Sequence, residues 1–416
     1  MSDNGKFSTV ATEMSPAVAV LALALLLGLQ PVTTDLYLPA LPALRADLAA
    51  PMGGVQLTLS ALMIAFGLGQ LLLGPVADRM GRRPVLLAGL LLYTVAAVLA
   101  ALSPSIGIVV LCRAVQGLGL AAAVVCARAM LRDLFEPLQG ARIMARALSG
   151  LGLIAMLSPA VGGLVAAAWG WRASMLAIAV FSACALAFTA LRVSETLRQR
   201  NPNATRLRDL LSAWRHIARH PDFVAYGLMT SLSYGALYTF LAGSAFIYID
   251  VLGTSRQSYG LLVGICAGTY MLGTFWCRHL LRQKTLPEAI RLGAFFTLAG
   301  AASMAAIAFG APATPLTITI AQCLFIFGHG VLQPCGQAGV VGPFARHAGA
   351  ASALSGFAIA ATAFGVGAWL SLALDQSVAP WAFTHASLAF ACALTAWTLV
   401  QRVGKAHGVA TQPSPG

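Results

Sequence analysis

Apolar residues occur along most of the chain in runs of about 20, the length at which a helix spans the ~30 Å hydrocarbon core of a bilayer. These runs therefore predict transmembrane helices. A hydropathy window of about 19 residues places twelve spans, at 15–40, 55–77, 84–103, 106–130, 142–168, 173–193, 221–249, 258–280, 288–310, 314–340, 351–374 and 381–402. The apolar stretch of the first span is too long for a signal peptide, so we predict that it is a retained helix.

The longest polar stretch, 194–220, divides the predicted spans into two sets of six. This pattern predicts an all-α membrane protein with two pseudo-symmetric six-helix bundles, at 1–193 and 221–402. A cytoplasmic linker at 194–220 would join them, and a cytoplasmic tail at 403–416 would follow. A weak internal repeat favours this division, because the segment GPVADRMGRR after the second span has a partial counterpart, GTFWCRHLLR, after the eighth.

Composition and charge exclude a soluble protein and indicate an orientation. Hydrophobic residues make up 59% of the chain and charged residues 9%, against about 25% charged in soluble domains. In the predicted loops after the first, fifth and seventh spans, the basic residues are Arg45, Arg172 and Arg256. The positive-inside rule therefore places the other face, with both termini, in the cytoplasm. The net charge of +13 is explained by this topology. Nucleic-acid binding is not expected, because the basic residues form no patch interleaved with aromatic residues.

Other function classes lack their sequence signals. The eight cysteines fall in apolar segments without paired spacing, which indicates buried thiols rather than disulfides or a zinc site. There is no Walker A loop for an ATP-driven pump. The histidines are scattered and no nucleophile motif occurs, so we expect no enzyme, no metal site and no cofactor.

Two charged residues lie within the predicted membrane region of the first half. Asp35 is the carboxylate most clearly placed in the hydrocarbon, where an ionised group is costly, so it is a candidate proton carrier. Counted from the outer helix ends at ~1.5 Å per residue, Asp35 lies ~8 Å deep and Arg113 ~10 Å. This similar depth allows Arg113 to contact Asp35 and to tune its proton affinity. The alternative is a permanent ion pair that only locks two helices together.

The segment GPVADRMGRR is predicted to form a gate between the second and third spans. Its fixed positions match the major facilitator signature G-x-x-x-D-R-x-G-R-R, and they are Gly74, Asp78, Arg79, Gly81, Arg82 and Arg83. We expect Gly74 to permit close helix approach and Gly81 a tight turn. Asp78 would bind a helix N-terminus or an arginine in one conformation and leave it in another. The alternative is a basic loop that only sets topology.

Three further segments extend this resemblance. TTDLYLPALP, with Asp35 four residues before Pro39, resembles the D-x-x-x-P element of bicyclomycin and chloramphenicol resistance (Bcr/CflA-type) exporters. RAVQGLGLAA, which begins at Arg113, resembles a motif of proton-coupled members. A fifth-span segment is similar to the antiporter signature G-P-x-x-G-G, although serine replaces its first glycine; its residues are Ser158, Pro159, Gly162 and Gly163.

The resemblance implies a drug:proton antiporter of the bacterial inner membrane. Such a protein exports small amphipathic drugs by alternating access, is driven by the proton gradient without a cofactor, and is expected to act as a monomer. Facilitated or proton-linked uptake of a small metabolite is the main alternative. Candidate substrate contacts are Tyr37, Tyr234, Tyr238 and His329. For the tyrosines the alternative is ordinary helix packing. His329 could take part in proton transfer or bind substrate, and its alternative is a hydrogen bond between helices.

Overall fold

The computed structural model describes residues 14–197, 199–373 and 377–410, and within this part of the chain every regular element is a helix. In the first half the elements are α1 (Pro16–Thr34), a 3₁₀ turn (Leu38–Ala40), α2 (Leu41–Asp47), α3 (Met52–Met80), α4 (Arg82–Ala101), α5 (Ile106–Leu134) and α6 (Pro137–Arg192). They continue with α7 (Leu207–Ala218), α8 (Pro221–Ala245), a π-helical turn (Phe246–Val251), α9 (Arg256–Leu280) and α10 (Leu286–Ala308). The last are α11 (Pro315–Val341), a 3₁₀ segment (Gly342–His347), α12 (Ala348–Ala373), α13 (Ala379–Trp397) and α14 (Leu399–Ala410).

The predicted helical membrane fold is confirmed. In the described residues, 11 helical segments are long and apolar enough to cross a bilayer, and each overlaps a predicted span. The number differs from twelve because α6 covers two predicted spans in 56 residues. A straight helix of that length would measure about 84 Å, far more than the ~30 Å hydrocarbon core. Gly170, with φ +80°, interrupts α6, so the helix consists of two spans joined at this residue.

The ends of the helices lie at two faces. We call the face with residues 78–83, where α3 ends and α4 begins, the motif face. The face with the end of α2, Gly170 and the start of α9 is the opposite face. At the opposite face Asp47 accepts hydrogen bonds from Trp171 Nε1, at 2.9 Å, and from Arg172, and these bonds fix the turn after Gly170.

The two halves meet along the helix pairs α3–α12 and α6–α9. Glycines bring these helices close together: a Cβ atom added at Gly67 would lie 2.5 Å from the Cβ of Ala360. Similarly, a Cβ at Gly260 would lie 2.5 Å from the carbonyl oxygen of Pro159. Lipid tails are as apolar as the helices, so close packing of this kind is a main source of helix association in membranes.

Polar contacts hold the halves together toward the opposite face. Gln56 Nε2 donates to the Ala242 carbonyl at 2.8 Å, and the Ser60 and Tyr238 hydroxyls lie 3.3 Å apart. Toward the motif face, Arg128 Nη1 is 3.5 Å from Ser352 Oγ, the upper limit for a hydrogen bond. The polar contacts between the halves are thus shorter near the opposite face than near the motif face.

Two helices lie in regions that the sequence predicts as linker and tail. The linker contains α7, whose Leu207 and Leu211 are exposed and whose Ile217 is buried. Asp209 in its first turn and Arg215 in its last turn suit the helix dipole. The tail begins within α14, and residues 411–416 lie outside the described part of the chain.

Because Gly67 lies against Ala360, we predict that Gly67→Ala destabilises the contact between the halves by about 1–3 kcal/mol, as overpacking does in other cores. Gly53→Ala is the matched control. It lies on the same helix facing α12, and its added Cβ would meet Ser371 Cβ at an ordinary 3.6 Å. The thermal unfolding midpoints of the two purified variants measure the two losses of stability. Equal midpoints for the two variants would contradict the packing argument.

Candidate functional site

The first membrane helix is broken next to Asp35, and Pro39 accounts for the break. In a continuous helix the Asp35 carbonyl would accept a hydrogen bond from the N–H of residue 39, and proline has none. The chain therefore ends α1 at Thr34 and resumes as the 3₁₀ turn Leu38–Ala40. The N–H of Tyr37 bonds to the Thr34 carbonyl at 3.2 Å, which leaves the Thr33 carbonyl without its usual helical donor.

The Asp35 carboxylate faces the junction between the halves. Its side chain is half-buried, whereas the flanking Thr34 and Leu36 are buried, so Asp35 keeps accessible surface deep in the helical bundle. Oδ1 accepts a hydrogen bond from Thr34 Oγ1 at 2.7 Å. Tyr234 and Tyr259 of the other half lie close enough to interact with the charge of the carboxylate. The break thus presents an acid to both halves at once.

Arg113 stabilises the broken segment and does not pair with Asp35. It is fully buried, donates through Nη2 to the Thr33 carbonyl at 2.9 Å and through Nη1 to Gln116 Oε1 at 2.8 Å. Its guanidinium lies 4.7 Å from the centre of the Tyr37 ring. The contact with Asp35 that equal depth allows is absent from this structure, since no ion pair of Asp35 occurs among the described residues. The reason is the break, which turns the Thr33 carbonyl toward Arg113 and the carboxylate toward the other half.

Of the four candidate substrate contacts, Tyr234 retains accessible surface and the other three are buried. The Tyr37 hydroxyl bonds to Thr58 at 3.2 Å, and Tyr238 contacts Ser60. His329 Nδ1 and the Ser233 hydroxyl are 2.8 Å apart. For Tyr37 and Tyr238 the structure therefore favours ordinary packing, and for His329 it favours a hydrogen bond between helices. Tyr234 instead lies between the halves, where it interacts with the side chain of Gln30 on α1.

The segment Ser158–Gly163 packs α6 between the broken helix and the other half. A Cβ added at Gly162 would lie 2.2 Å from the Leu36 carbonyl oxygen, and one at Gly163 would lie 2.7 Å from that of Arg256. Ser158 Oγ donates to the Ile154 carbonyl at 2.7 Å, within the same helix. Pro159 presents its carbonyl to Gly260 of α9. The two adjacent glycines thus bring one face of α6 against Leu36, next to Asp35, and another against α9.

The turn at the motif face depends on Gly81 and on a carboxylate from the end of the first half. Gly81 has φ +115°, a conformation that favours glycine, and it alone separates α3 from α4. Glu195 accepts hydrogen bonds from the backbone N–H groups of Arg82, at 3.0 Å, and Arg83, at 3.2 Å. Its negative charge therefore caps the N-terminus of α4, where unpaired N–H groups favour an anion.

The arginines of the motif contact three segments of the first half and also the linker. Arg82 binds Asp78 at 2.5 Å and Asp133 of α5 at 3.2 Å. Arg83 donates to the Val193 and Ala190 carbonyls at the end of α6, at 2.7 and 2.9 Å, and Arg79 donates to Thr205 at 2.9 Å.

The close helix approach expected at Gly74 is not seen. A Cβ there would meet Val125 at an ordinary 3.7 Å, so packing here does not require glycine.

Sequence reasoning missed several residues of this arrangement. In the sequence, Asp133 and Glu195 come just after the fourth and sixth predicted spans, on the same side as the basic motif, and this position could have indicated them as its partners. Gln116 lies inside the segment RAVQGLGLAA, and only the contact with Arg113 reveals its role. Gln30 interacts with Tyr234, and Tyr259 lies near enough to interact with the charge of Asp35. They belong to two different helices, and no local pattern distinguishes them from packing residues.

Comparison with known sequences shows the family of this chain. The sequence profile of the Major Facilitator Superfamily matches residues 23–367. The chain belongs to the Major Facilitator Superfamily. Among its relatives, Multidrug resistance protein D of Escherichia coli (strain K12) is 31% identical over 338 residues, which cover 81% of this chain and 84% of that protein. Multidrug resistance protein MdtL of Escherichia coli (strain K12 / DH10B) is 28% identical over 388 residues, which cover 92% and 94%.

Solved structures of this superfamily share the fold. The xylose transporter XylE of E. coli, in a partially occluded inward open conformation, matches with a TM-score of 0.73 at 15% identity. The match covers 92% of this chain and 97% of XylE. At this identity the likeness concerns the fold alone. Together with the family match, it makes this chain a multi-pass membrane transporter and not an enzyme.

We predict that Glu195→Ala destabilises the first half by about 1–2 kcal/mol, because two N–H groups at the start of α4 lose their anionic acceptor. Glu136→Ala is the control, since Glu136 precedes α6 and makes no side-chain cap hydrogen bond. Urea or thermal unfolding in detergent compares the two. A loss of stability in Glu136→Ala as large as that in Glu195→Ala would refute the capping role.

Proposed function

We propose that this transporter exports small amphipathic drugs in exchange for protons. The observation that carries the proposal is the Asp35 carboxylate, which lies between the halves at a helix break. Its side chain keeps accessible surface and forms no ion pair with any of the described residues. An ionised acid in the membrane interior is costly, so a site of this kind binds a proton readily when its surroundings change. The names of two relatives, Multidrug resistance protein D and MdtL, support drugs as the substrate class.

The coupling needs drug and proton to compete for one state of the transporter. With the site open to the cytoplasm, ionised Asp35 favours drug capture. With the site open to the outside, a proton neutralises Asp35 and weakens drug retention. Return to the first state then releases the proton inside. The tight contacts of Gly162 with Leu36 and of Gly163 with Arg256 would couple a movement of the halves to the position of Asp35.

We further propose that the motif face is cytoplasmic and that the chain is an exporter of the Bcr/CflA type in the bacterial inner membrane. The excess of arginine at this face supports the orientation, through the positive-inside rule. The TTDLYLPALP segment supports the subtype, since its Asp35 and Pro39 form the helix break. In this orientation both termini lie in the cytoplasm.

Uptake of a small metabolite is the alternative, and a vesicle experiment separates the two functions. In energised inside-out vesicles the lumen is acidic, and adding a substrate of an antiporter releases protons from it. Chloramphenicol and bicyclomycin are the first substrates to test. Proton release on their addition supports export. Uptake is supported if no drug of a broad panel releases protons and if intact cells accumulate a metabolite in a proton-linked manner.

In that assay we expect Asp35→Asn to abolish drug-induced proton release while the protein remains in the membrane. Asparagine keeps the shape of the side chain and cannot exchange a proton. Asp250→Asn is the matched control, because Asp250 is an exposed acid of the π-helical turn. Full proton release in Asp35→Asn would remove this carboxylate from the mechanism.

A second prediction concerns the gate. Asp78→Asn removes one of the two charged partners of Arg82, at a helix end, a contact that we value at about 1–2 kcal/mol. A change of that size shifts a two-state equilibrium roughly tenfold. We expect single cysteines introduced on the cytoplasmic side of Asp35 to be labelled at an altered rate. We also expect export to be slower and the membrane orientation to be unchanged. Normal labelling together with normal export would leave this segment with only a topological role.

A further inference from the structure

The linker helix α7 connects the two halves at the motif face. Just before it begins, Thr205 accepts a hydrogen bond from Arg79 at the end of α3, at 2.9 Å. Just after it ends, the ring of His220 packs edge-on against Phe344, which precedes α12, with ring centres 5.0 Å apart. The helices α3 and α12 form one of the two packed pairs between the halves. The linker helix therefore runs past this pair, with one end bound to each half.

The side chains of α7 fall into three sectors around the helix axis, because successive residues are about 100° apart. One sector packs on the second half through Ile217, which is buried in the core there. The neighbouring sector is apolar but exposed, since Leu207 and Leu211 expose 64% and 52% of their surface. The third sector is basic and exposed, and it consists of Arg208, Arg215 and Arg219.

The basic sector lacks a partner of opposite charge. Its three arginines lie within about 40° of one another around the axis, and none of them forms an ion pair with any described residue. Asp209, the one acid of α7, lies about 100° away from Arg208. Like charges on one side of a helix repel each other, so this sector favours an anionic partner.

Both ends of α7 lie beside apolar surface of membrane-spanning helices. At one end, Met80 follows Arg79 at the end of α3 and is exposed. At the other end, α8 begins three residues after α7, and its Val224 is exposed only ~5 Å from the start of that helix. Exposed apolar residues on a membrane span face lipid. The helix α7 is therefore placed where the hydrocarbon ends and the headgroups begin.

We propose that α7 binds the anionic headgroups of phospholipids in the adjacent leaflet. Leu207 and Leu211 insert beside the acyl chains, and the arginines donate hydrogen bonds to the phosphates. An apolar sector next to a basic one is how amphipathic helices bind a membrane surface. Each arginine near an anionic surface strengthens binding by a factor of about five. This lipid site is independent of the proton coupling proposed for Asp35.

Hydrogen–deuterium exchange of the full-length transporter in nanodiscs tests the proposal. We compare phosphatidylglycerol with phosphatidylcholine of the same acyl chains, and we expect the α7 amides to exchange at least about fivefold more slowly in phosphatidylglycerol. The triple variant Arg208→Gln, Arg215→Gln and Arg219→Gln should exchange equally in both lipids. Glutamine keeps the helix propensity of arginine, so this result would not reflect unfolding of α7.

A matched control removes three positive charges from another exposed segment of the motif face. It combines Arg278→Gln, Arg282→Gln and Lys284→Gln, at the end of α9. This variant should keep the difference between the two lipids. Equal exchange in the native protein, or a difference that persists in the α7 triple variant, would overturn the proposal. In the first case the exposed face of α7 has no preference for anionic lipid.

The apolar sector is tested separately. Leu207→Gln combined with Leu211→Gln should speed exchange of α7 in both lipids, because insertion of leucine does not depend on the headgroup. Unchanged exchange in both lipids would show that the leucines stay outside the bilayer. Native mass spectrometry gives a readout that does not depend on exchange. With phosphatidylglycerol added, the arginine triple variant should retain fewer lipid molecules than the α9 control, and equal retention would refute the site.

Discussion

The missing N–H of Pro39 is the constraint on which the centre of this transporter depends. It interrupts the first membrane helix beside Asp35, frees the Thr33 carbonyl for Arg113 and leaves the carboxylate half-buried at the junction of the halves. A continuous helix would satisfy these backbone groups internally and would leave no carbonyl for the buried cation. The break and the position of Arg113 therefore stabilise each other.

Around this centre, small residues determine the packing within the membrane, and charged residues stabilise the motif face. Within the membrane, Gly67 and Gly163 bring the two halves into close contact, and Gly162 packs α6 against Leu36 of the broken first helix. At the motif face, Gly81 turns the chain, and Arg82, Asp78, Asp133 and Glu195 form a charged network within the first half.

The sequence predicts the features of this structure that depend on local patterns, and it does not predict the contacts that depend on how the helices pack. Membrane spans follow from apolar length, and the turn at Gly81 follows from a glycine between two helices, so both were predictable. The contact between Asp35 and Arg113 that their equal depth allows is absent from this structure, because equal depth does not show which sides of two helices face each other. Spacing places Tyr234 and Tyr238 on one helical face, yet only the packed structure shows that Ser60 covers Tyr238. Glu195 depends on a fold that brings the end of α6 to the start of α4.

The central claim is that substrate binding changes the protonation of Asp35, and infrared difference spectroscopy measures this directly. A protonated carboxyl group has a carbonyl stretching band that is distinct from that of a carboxylate. For the purified transporter we expect drug addition to remove such a band, and we expect this change to be absent in Asp35→Asn. The same band loss in Asp35→Asn, or no change in the native protein at saturating drug, would contradict the account.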